Sequence, residues 1–542
     1  VVFGWGAQIT GCRNRPLSIV LTSSLCVSPS DRMAEVIVEQ RLSREMQQKT
    51  DPELKPPCVD LDPDAGFVET RPVRQQWVEY ALMCLCNVAW TIDYALLPTF
   101  FNEFQVRFDA SQTSLSMLTT TKGVVAALFA FPAGFVGELL PRPQLIGLGM
   151  VFWSLGLVLC SMAWSLEVLL LGRIFNGMGI GMVQPLLLSL VADQTQPTKR
   201  GFAFGSVYFT GAVCNSVFTQ VATAYAATVV AGVEGWRISI AGVAVFSVLV
   251  GAAIMLIVEE PNAAELAERR KQQGFVSVFV NNLPKVWSLF RYPTFVLIIC
   301  QGALGSAPWT VFPFMTQWLE LSCFTHEQAA SIFAGFNWGV AVCSLLIGLL
   351  LNFVARRFPD HGPPALANFS VASGIPFLGL IFFLLPKPMG LGEGSNQVAA
   401  YLMSFLSFGL LAGWCGAINK KVFADIVPSS IYTYVFAVDQ LIENILGSLA
   451  PLSVGMLTDK VFHYNKDAVS SGGCAPDEAD KLGLGMFVVC TAAWTICFFV
   501  YVGMHCTYPA DRQRALMQQA GTAMEDAGKN DKQVASSPGC AV

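Results

Sequence analysis

Apolar stretches long enough to cross a bilayer recur along this chain, separated by short polar turns. A helix needs about 20 predominantly apolar residues to span the hydrocarbon core. By this criterion we predict about twelve spans, at 78–101, 113–137, 145–164, 168–192, 202–229, 238–258, 294–318, 329–354, 366–385, 398–419, 432–457 and 484–506. The charged gap between the sixth and seventh divides them evenly. The predicted fold is an all-α membrane protein of two pseudo-symmetric six-helix bundles.

The rest of the chain divides into two tails and one linker. Residues 1–76 and 507–542 are polar and are expected to be disordered cytoplasmic tails. The bundles are expected at 77–258 and 292–506, with a cytoplasmic linker at 259–291. The chain begins at Val1 and its first methionine is Met33, so the translation of the residues before Met33 stays open.

Composition also places most of the chain in lipid. Hydrophobic residues make up 54% and charged residues 13%, whereas soluble proteins have roughly 25% charged residues. The formal net charge of -5 argues against a nucleic-acid partner, which would select a basic face. Most of the 16 cysteines lie in apolar runs, where cysteine packs as a small hydrophobe. Cys323 and Cys474 lie in predicted outer loops, where they could pair.

Lysine and arginine are concentrated in alternate loops, and this bias predicts the orientation. The richer loops contain Lys199 and Arg200, and Lys420 and Lys421, so that side and both termini are expected to be cytoplasmic. The choice between the plasma membrane and an endomembrane stays open.

The predicted fourth span is rich in glycine, at Gly177, Gly179 and Gly181. Each glycine weakens an isolated helix by about 1 kcal/mol relative to alanine, but small residues let helices in lipid approach closely. Gln184 and Pro185 follow. Because proline removes a helix hydrogen bond, we predict a hinge there.

A spaced motif occurs at the cytoplasmic end of the second span of each half. The first copy and its downstream acid are Gly134, Glu138, Arg142 and Asp193. The second copy and its downstream acid are Gly348, Asn352, Arg356 and Asp425. Such symmetry is typical of transporters built from two bundles. We predict that these residues form a cytoplasmic gate, in which a relay of acid, base and acid holds helix ends together in the outward-facing state. The alternative is simple interfacial anchoring by Arg142.

These motifs resemble those of the major facilitator superfamily over nearly all of 77–506. The family motif Gly-x-x-x-Asp-x-x-x-Arg is present with glutamate at position 138. The stretches LVADQTQPTKRGFAFG, GWR, ARRFPDHG and FADIVPSSIYTYVFAVDQ are similar to the Spinster-like branch, particularly its plant and algal members. The resemblance implies a transporter, and Spinster relatives are implicated in moving lysolipids and sphingoid lipids.

Two pairs of charged residues fall inside predicted spans, where each charge costs on the order of 2.5–3.5 kcal/mol. Asp93 and Lys122 lie at similar depth in adjacent antiparallel spans, which predicts an ion pair facing the central cavity. Either substrate or a proton breaks this pair during transport, or the pair is static and fixes helix register. Asp439 and Glu443 share a helix face. Two close carboxylates in low dielectric do not both ionise easily, which suits a proton carrier. The alternative is that Asp439 latches helix ends while Glu443 binds backbone or hydroxyl groups.

Three further polar residues lie at membrane depth. Arg173 has a planar fork that suits an anionic headgroup or a carboxylate, or it snorkels to the interface. Gln184 and Asn337 are candidate substrate contacts, with interhelical hydrogen bonding as the alternative.

Together these features predict a secondary active transporter that works by alternating access. Its expected cargo is a small organic solute or an amphipathic sphingo- or lysolipid, moved alone or with protons. The chain is expected to act as a monomer in the bilayer, not as an enzyme, and without a cofactor or metal. The alternative is a non-transporting membrane sensor or interaction protein with the same fold.

Overall fold

The computed structural model describes residues 72–195, 200–226, 228–261, 263–272, 274–390, 395–427, 432–468 and 474–535. Twelve of the helical segments within them are called spans 1 to 12 in chain order. The N-terminal six are span 1 (Val73–Leu96, Pro98–Phe100 and Phe101–Phe108), span 2 (Gln112–Val136), span 3 (Arg142–Ser161), span 4 (Leu166–Asp193), span 5 (Arg200–Tyr225) and span 6 (Gly235–Ile257). The C-terminal six are span 7 (Pro293–Gly305, Ala307–Val311, Phe312–Phe314 and Met315–Leu321), span 8 (His326–Arg357), span 9 (Gly362–Gly379 and Leu380–Leu384), span 10 (Ser395–Ala412 and Cys415–Ile426), span 11 (Tyr432–Gly447, Leu449–Met456 and Leu457–Val461) and span 12 (Pro476–Ala535).

The predicted all-α membrane fold is confirmed. Among the described residues, ten segments are long and apolar enough to cross a membrane, and span 8, which bends by 42°, makes eleven if it counts as one. Span 5 is a 26-residue helix outside that set. Prolines explain some of the breaks, because Pro98, Pro308 and Pro313 each lie where one helical piece gives way to the next.

The two bundles pair their helices in the same pattern. In the N-terminal bundle, span 2 packs on span 4, span 3 on span 6, and span 1 on span 5. In the C-terminal bundle, span 8 packs on span 10, span 9 on span 12, and span 7 on span 11. The bundles meet where span 2 contacts span 11 and where span 5 contacts span 8. Adding six to each span number converts one pattern into the other, as expected for a repeated bundle.

The glycines of span 4 allow close backbone contact on two sides. A Cβ on Gly177 or Gly181 would lie 2.7 or 2.2 Å from a backbone oxygen of span 2. A Cβ on Gly179 would lie 2.3 Å from the carbonyl oxygen of Gly149 in span 3. Side chains do not fit at these distances, so the glycines hold span 4 between spans 2 and 3.

Helix extends into segments for which the sequence predicted tails or a linker. The predicted disorder from 507 is wrong for 507–535, because span 12 continues through Pro509 to Ala535. That stretch is rich in Ala, Gln, Met and Arg, which extend a helix already formed. Span 1 starts at Val73, within the predicted N-terminal tail. The linker contains the helices Ala263–Gln272 and Phe275–Leu289. Residues 1–71 and 536–542 of the predicted tails lie outside the described residues.

A short hairpin connects spans 5 and 6. Strands Val229–Val230 and Val233–Glu234 pair antiparallel, with Val229 opposite Glu234 and Val230 opposite Val233. The two turn residues, Ala231 and Gly232, have φ of 51° and 81°. Positive φ at both positions is the geometry of a type I′ turn, which matches the twist of the strands.

A disulfide joins two loops of the C-terminal bundle at the end that is predicted to be non-cytoplasmic. It joins Cys323, after span 7, to Cys474, before span 12, across 151 residues of sequence. The backbone N–H of Ala475 also donates to the carbonyl of Leu321 at 2.9 Å. The pairing that the sequence left open is therefore made.

Replacing both cysteines with serine is expected to lower the free energy of unfolding by about 2–4 kcal/mol, because the unfolded chain then loses a long closed loop. The thermal midpoint of the purified protein measures the effect. Cys300→Ser, at an exposed free cysteine, is the matched control and is expected to leave the midpoint unchanged. Full alkylation of Cys323 and Cys474 without prior reduction would contradict the disulfide.

Candidate functional site

A charge cluster lies inside the N-terminal bundle, centred on Asp93 of span 1. Asp93 has no exposed surface. Its Oδ2 lies 3.2 Å from Nζ of Lys122 in span 2, so the predicted ion pair is confirmed. Its Oδ1 accepts hydrogen bonds from Nδ2 of Asn176 at 2.9 Å and from Nε1 of Trp153 at 3.2 Å. Four spans therefore converge on one carboxylate. The predicted exposure to a cavity is wrong for Asp93, because these donors enclose it.

Arg173 belongs to the same cluster. It is fully buried, so the predicted alternative of snorkelling to the interface is wrong. Its Nη1 lies 3.9 Å from Oδ1 of Asp93 and donates to Oδ1 of Asn176 at 3.0 Å. Its Nε donates to the carbonyl of Leu118 at 3.3 Å, while Nη2 has no hydrogen-bond partner among the described residues. One guanidinium nitrogen therefore lies at ion-pair distance from a carboxylate that the chain itself supplies, and bidentate pairing with a cargo group stays a prediction.

The cluster carries more positive than negative charge when its groups are ionised. Lys122 and Arg173 face the single carboxylate of Asp93. Lys122 is 8% exposed, and its Nζ lies 5.5 Å from the ring centroid of Tyr94. The Tyr94 hydroxyl in turn donates to the carbonyl of Trp309 in span 7. Tyr94 therefore lies between Lys122 and the second bundle.

The predicted carboxylate pair of the second bundle lies in span 11. Asp439 is buried, and its Oδ1 has no hydrogen-bond partner among the described residues. Glu443 is half-buried and packs on Gly302 of span 7, where an added Cβ would lie 2.7 Å from Oε1 of Glu443. Lys420 of span 10 attracts both carboxyls electrostatically. Lys420 was predicted to be a loop cation, because the predicted tenth span ended at 419, whereas the helix continues to Ile426.

The polar residues at membrane depth, including the candidates Gln184 and Asn337, differ in their contacts. Gln301 is interhelical, since its Oε1 accepts from Nδ2 of Asn419 at 2.9 Å and Asn419 accepts from Tyr501 at 2.9 Å. Asn337 is half-buried, and its Nδ2 lacks a hydrogen-bond partner within the described part of the chain. Gln184 is half-buried in span 4, which continues through Pro185 to Asp193. The hinge at this position stays a prediction.

Arg142 is the centre of the predicted cytoplasmic gate in the first half. Its Nη1 donates to Asp193 at 2.7 Å, as predicted, and to Ser189 at 3.3 Å. Its Nε donates to both oxygens of Glu260 at 3.1 Å, and its backbone N–H donates to Glu260 at 2.9 Å. These contacts join spans 3, 4 and the end of span 6 within one bundle. Glu260 was missed because it lies in the acidic run of the linker.

Gly134 and Glu138 flank this group. A Cβ added to Gly134 would meet nothing within 4 Å, so no close helix contact requires glycine there in this conformation. Glu138 is half-buried in the turn between spans 2 and 3.

In the second half, Asp425 is paired with residues that the repeat does not predict. Asn352 and Arg356 are exposed. Asp425 instead accepts from Nζ of Lys421 at 2.8 and 2.9 Å and from the hydroxyl of Tyr508 at 2.6 Å. A role for Asn352 and Arg356 in the cytoplasmic gate stays a prediction. The basic partner is Lys421, one helical turn before Asp425 in span 10. The repeated motif does not include this residue.

Polar contacts join the two bundles at the outer end, the end that the loop charges predict to be non-cytoplasmic. Asp459, in the last turn of span 11, accepts from the backbone N–H groups of Gln112 and Thr113 at 3.3 and 2.7 Å. These N–H groups lie in the first turn of span 2, where a carboxylate is favoured by the helix dipole. Span 2 and span 11 also approach closely here, because a Cβ on Gly455 would lie 2.5 Å from Oγ of Ser116.

Further contacts extend this outer seam, defined as the outer contacts of spans 1 and 2 with spans 7 and 11 and the loop after span 11. Oε1 of Gln105 accepts from Nε2 of Gln317 at 3.3 Å and from the hydroxyl of Tyr464 at 3.2 Å. Burial raises the pKa of Tyr464 to about 12, so this hydroxyl stays protonated and can donate. Lys466 pairs with Asp109 at 2.5 Å. At the opposite end, the bundles meet where Nζ of Lys420 lies 5.7 Å from the Tyr208 ring centroid.

Comparisons with known proteins agree with this architecture. The family model described as Major Facilitator Superfamily matches residues 82–451. Protein spinster homolog 3 of Mus musculus is 22% identical over 388 residues, covering 68% of this chain and 72% of that protein. Protein spinster of Drosophila melanogaster is 21% identical over 419 residues, covering 74% and 65%. The riboflavin transporter RibZ of Clostridioides difficile is 28% identical over 145 residues, covering 26% and 30%. The chain thus spans less than two thirds of two of these three relatives.

Solved structures share the fold. A bacterial homologue of the human lysosomal transporter Spinster, in an inward-facing and occupied conformation, superposes with a TM-score of 0.64 at 19% identity, covering 82% of this chain and 99% of that one. The nucleoside transporter NupG gives a TM-score of 0.58 at 14% identity, covering 79% and 98%.

Proposed function

Because this chain belongs to the Major Facilitator Superfamily, we propose that it is a secondary active transporter that works by alternating access between its two bundles. The observation that carries the proposal is the outer seam. Its contacts are hydrogen bonds and ion pairs between side chains and helix ends of separate bundles, which can break without disturbing either bundle internally. With the predicted orientation, this conformation is closed to the outside.

The proposed cargo is a small organic solute or an amphipathic lipid of the lysolipid or sphingoid class. The similarity to spinster proteins supports the lipid class, since the Spinster-like resemblance implies such substrates. The excess positive charge at Lys122 and Arg173 supports an anionic group on the cargo. Release of Lys122 from Asp93 would leave a cation at the edge of the cluster for that group.

Proton coupling is proposed at the two membrane-buried carboxylate sites. Protonation of Asp93 would remove the charge that holds Lys122, and Tyr94 would carry the change to Trp309. In span 11, Asp439 and Glu443 compete for one cation, Lys420, so binding and loss of a proton is the simplest way to balance their charge. Arg142, Asp193 and Glu260 are proposed to brace the cytoplasmic ends of the first bundle.

Flux in proteoliposomes tests the function. The full-length chain is reconstituted, and fluorescent lysophosphatidylcholine or sphingosine is followed by albumin extraction from the outer leaflet, with and without a pH gradient. We expect protein-dependent movement that the gradient accelerates. Glu443→Gln is expected to remove the acceleration, whereas Glu327→Gln, at an exposed position, is expected to keep it. Rates equal to those of protein-free liposomes for both lipids and for a water-soluble organic anion would favour a non-transporting sensor.

A further inference from the structure

A second group of ionisable residues lies at the outer seam, away from both carboxylate sites described above. Glu320 of span 7 is 4% exposed. It accepts a hydrogen bond from Nδ2 of Asn102 in span 1, and its Oε1 lies 2.8 Å from Nδ1 of His326, the first residue of span 8. Glu320 therefore contacts the N-terminal bundle through Asn102 and its own C-terminal bundle through His326.

Glu103 brings a second carboxyl to this group. It follows Asn102 in sequence, and its Oε2 is buried without a hydrogen-bond partner among the described residues. Glu103 interacts electrostatically with Glu320 and His326, and His326 with both glutamates. Spans 1, 7 and 8 thus bring two acids and one base close enough to interact electrostatically, and Glu320 and His326 are in direct contact.

The three ionisable groups of the closed seam have a net negative charge unless one further proton binds. With both carboxylates ionised, a protonated His326 leaves one buried negative charge uncompensated, which is costly. The seam also lacks hydrogen-bond donors, since Oδ1 of Asn102 and Oε1 of Gln317 are buried and have no partner within the described residues. A neutral carboxylic acid at Glu103 would remove the excess charge and add a donor.

We propose that Glu103, Glu320 and His326 form a proton-binding site whose occupancy holds the outer seam closed. The proposal rests on the alternating access proposed above and adds a proton site at the outer gate. Opening the seam separates Asn102 from Glu320 and admits water, so the carboxylates then ionise at little cost. The closed state therefore binds the proton more tightly than the open state.

This difference in proton affinity fixes the sign of the pH dependence. The open site loses its proton at a lower pH than the closed site. Between these two pH values, opening releases one proton, so the ratio of open to closed protein changes by about tenfold per pH unit. Raising the pH within this window favours the open seam. Below the window both states hold the proton, and above it neither does, so the ratio becomes independent of pH.

Labelling at Ser116 reports opening of the seam. Ser116 is fully buried in span 2 against Gly455 of span 11, so Ser116→Cys becomes accessible only when these spans separate. The full-length variant is placed in nanodiscs and reacted with a charged maleimide from pH 5.5 to 8.5. Rates are corrected for thiol ionisation, and the chain without Ser116→Cys gives the background. We expect labelling to increase with pH.

Four variants in this background separate the proton site from other effects. Glu103→Gln is expected to keep labelling low and independent of pH, because it imitates the protonated acid. His326→Gln is expected to shift the rise to lower pH, because Glu320 then also needs a proton. Asp459→Asn is expected to raise labelling at every pH without changing the slope, because it weakens the seam elsewhere. Glu327→Gln, the exposed neighbour of His326, is expected to match the parent.

The wild-type pH slope in Glu103→Gln would overturn the proposal. If Ser116→Cys folds poorly, hydrogen exchange of 98–108, compared between wild type and Glu103→Gln at the same pH, answers the same question. Transport with no pH dependence of labelling would reject the proton site and leave the transporter proposal intact. The expected pH dependence without flux of any cargo would reject the transporter proposal alone.

Discussion

Replacing Asp93 with alanine is expected to lower the free energy of unfolding by about 3–5 kcal/mol, because it leaves buried cations unpaired. Asp93 is the only carboxylate that contacts Lys122 and Arg173 within the described residues. Its removal also strands the donors of Trp153 and Asn176. Thermal unfolding of the purified variant in detergent measures the loss.

The opposite member of the pair is the matched control. Lys122→Met leaves Asp93 opposite Arg173, so the formal charge of the cluster falls to zero, and we expect a smaller loss of stability than for Asp93→Ala. The double variant Asp93→Ala with Lys122→Met returns the cluster to the wild-type net charge and is expected to recover part of the lost stability. If removing Asp93 and removing Lys122 lowered the free energy of unfolding equally, the excess positive charge of the cluster would not explain the loss.

Flux through the double variant separates the two roles left open for the pair. A static pair that only fixes helix register would let transport recover together with stability. A pair that substrate or a proton must break would leave a folded protein without gradient-driven flux. We expect the second result, because Tyr94 connects Lys122 to the other bundle.

The sequence predicted those parts of the site that depend on depth and helix periodicity. Asp93 and Lys122 could be paired because adjacent antiparallel spans place them at similar depth. The contact of Arg173 with this pair was not predictable, because the direction in which Arg173 points from span 4 depends on how the glycines of that span pack. Helix ends were less predictable, since the polar stretch after Tyr508 continues an existing helix that composition alone does not reveal.

The outer seam was not predicted at all, for a physical reason. Gln105, Gln317 and Asp459 are single polar residues near helix ends, where polar residues are common and carry no periodic signal. Their partners lie more than 200 residues away in sequence, so only the packed bundles bring them together. In the second half of the predicted gate, Asp425 has a partner that the repeat does not predict, for a related reason. An equivalent spacing at Arg356 does not require an equivalent contact once Lys421 is available to Asp425.

The second large effect is expected at span 4, where Gly179→Ala combined with Gly181→Ala should prevent the N-terminal bundle from packing. The added Cβ atoms would lie 2.3 Å from a backbone oxygen of span 3 and 2.2 Å from one of span 2. Backbone cannot move aside as a flexible side chain can, and overpacking of a core costs about 1–3 kcal/mol per site. Because the two contacts are on different neighbours, a shift of span 4 away from one does not relieve the other.

Gly242→Ala in span 6 is the control for this prediction, because a Cβ there would meet nothing within 4 Å. Alanine favours helix by about 1 kcal/mol over glycine, so this variant is expected to be neutral or slightly stabilising. The thermal midpoint and the yield of monodisperse protein compare the variants. If the double variant unfolds with the wild-type midpoint, spans 2 and 3 do not hold span 4 at backbone contact, and the placement of Arg173 beside Asp93 would lose its structural basis.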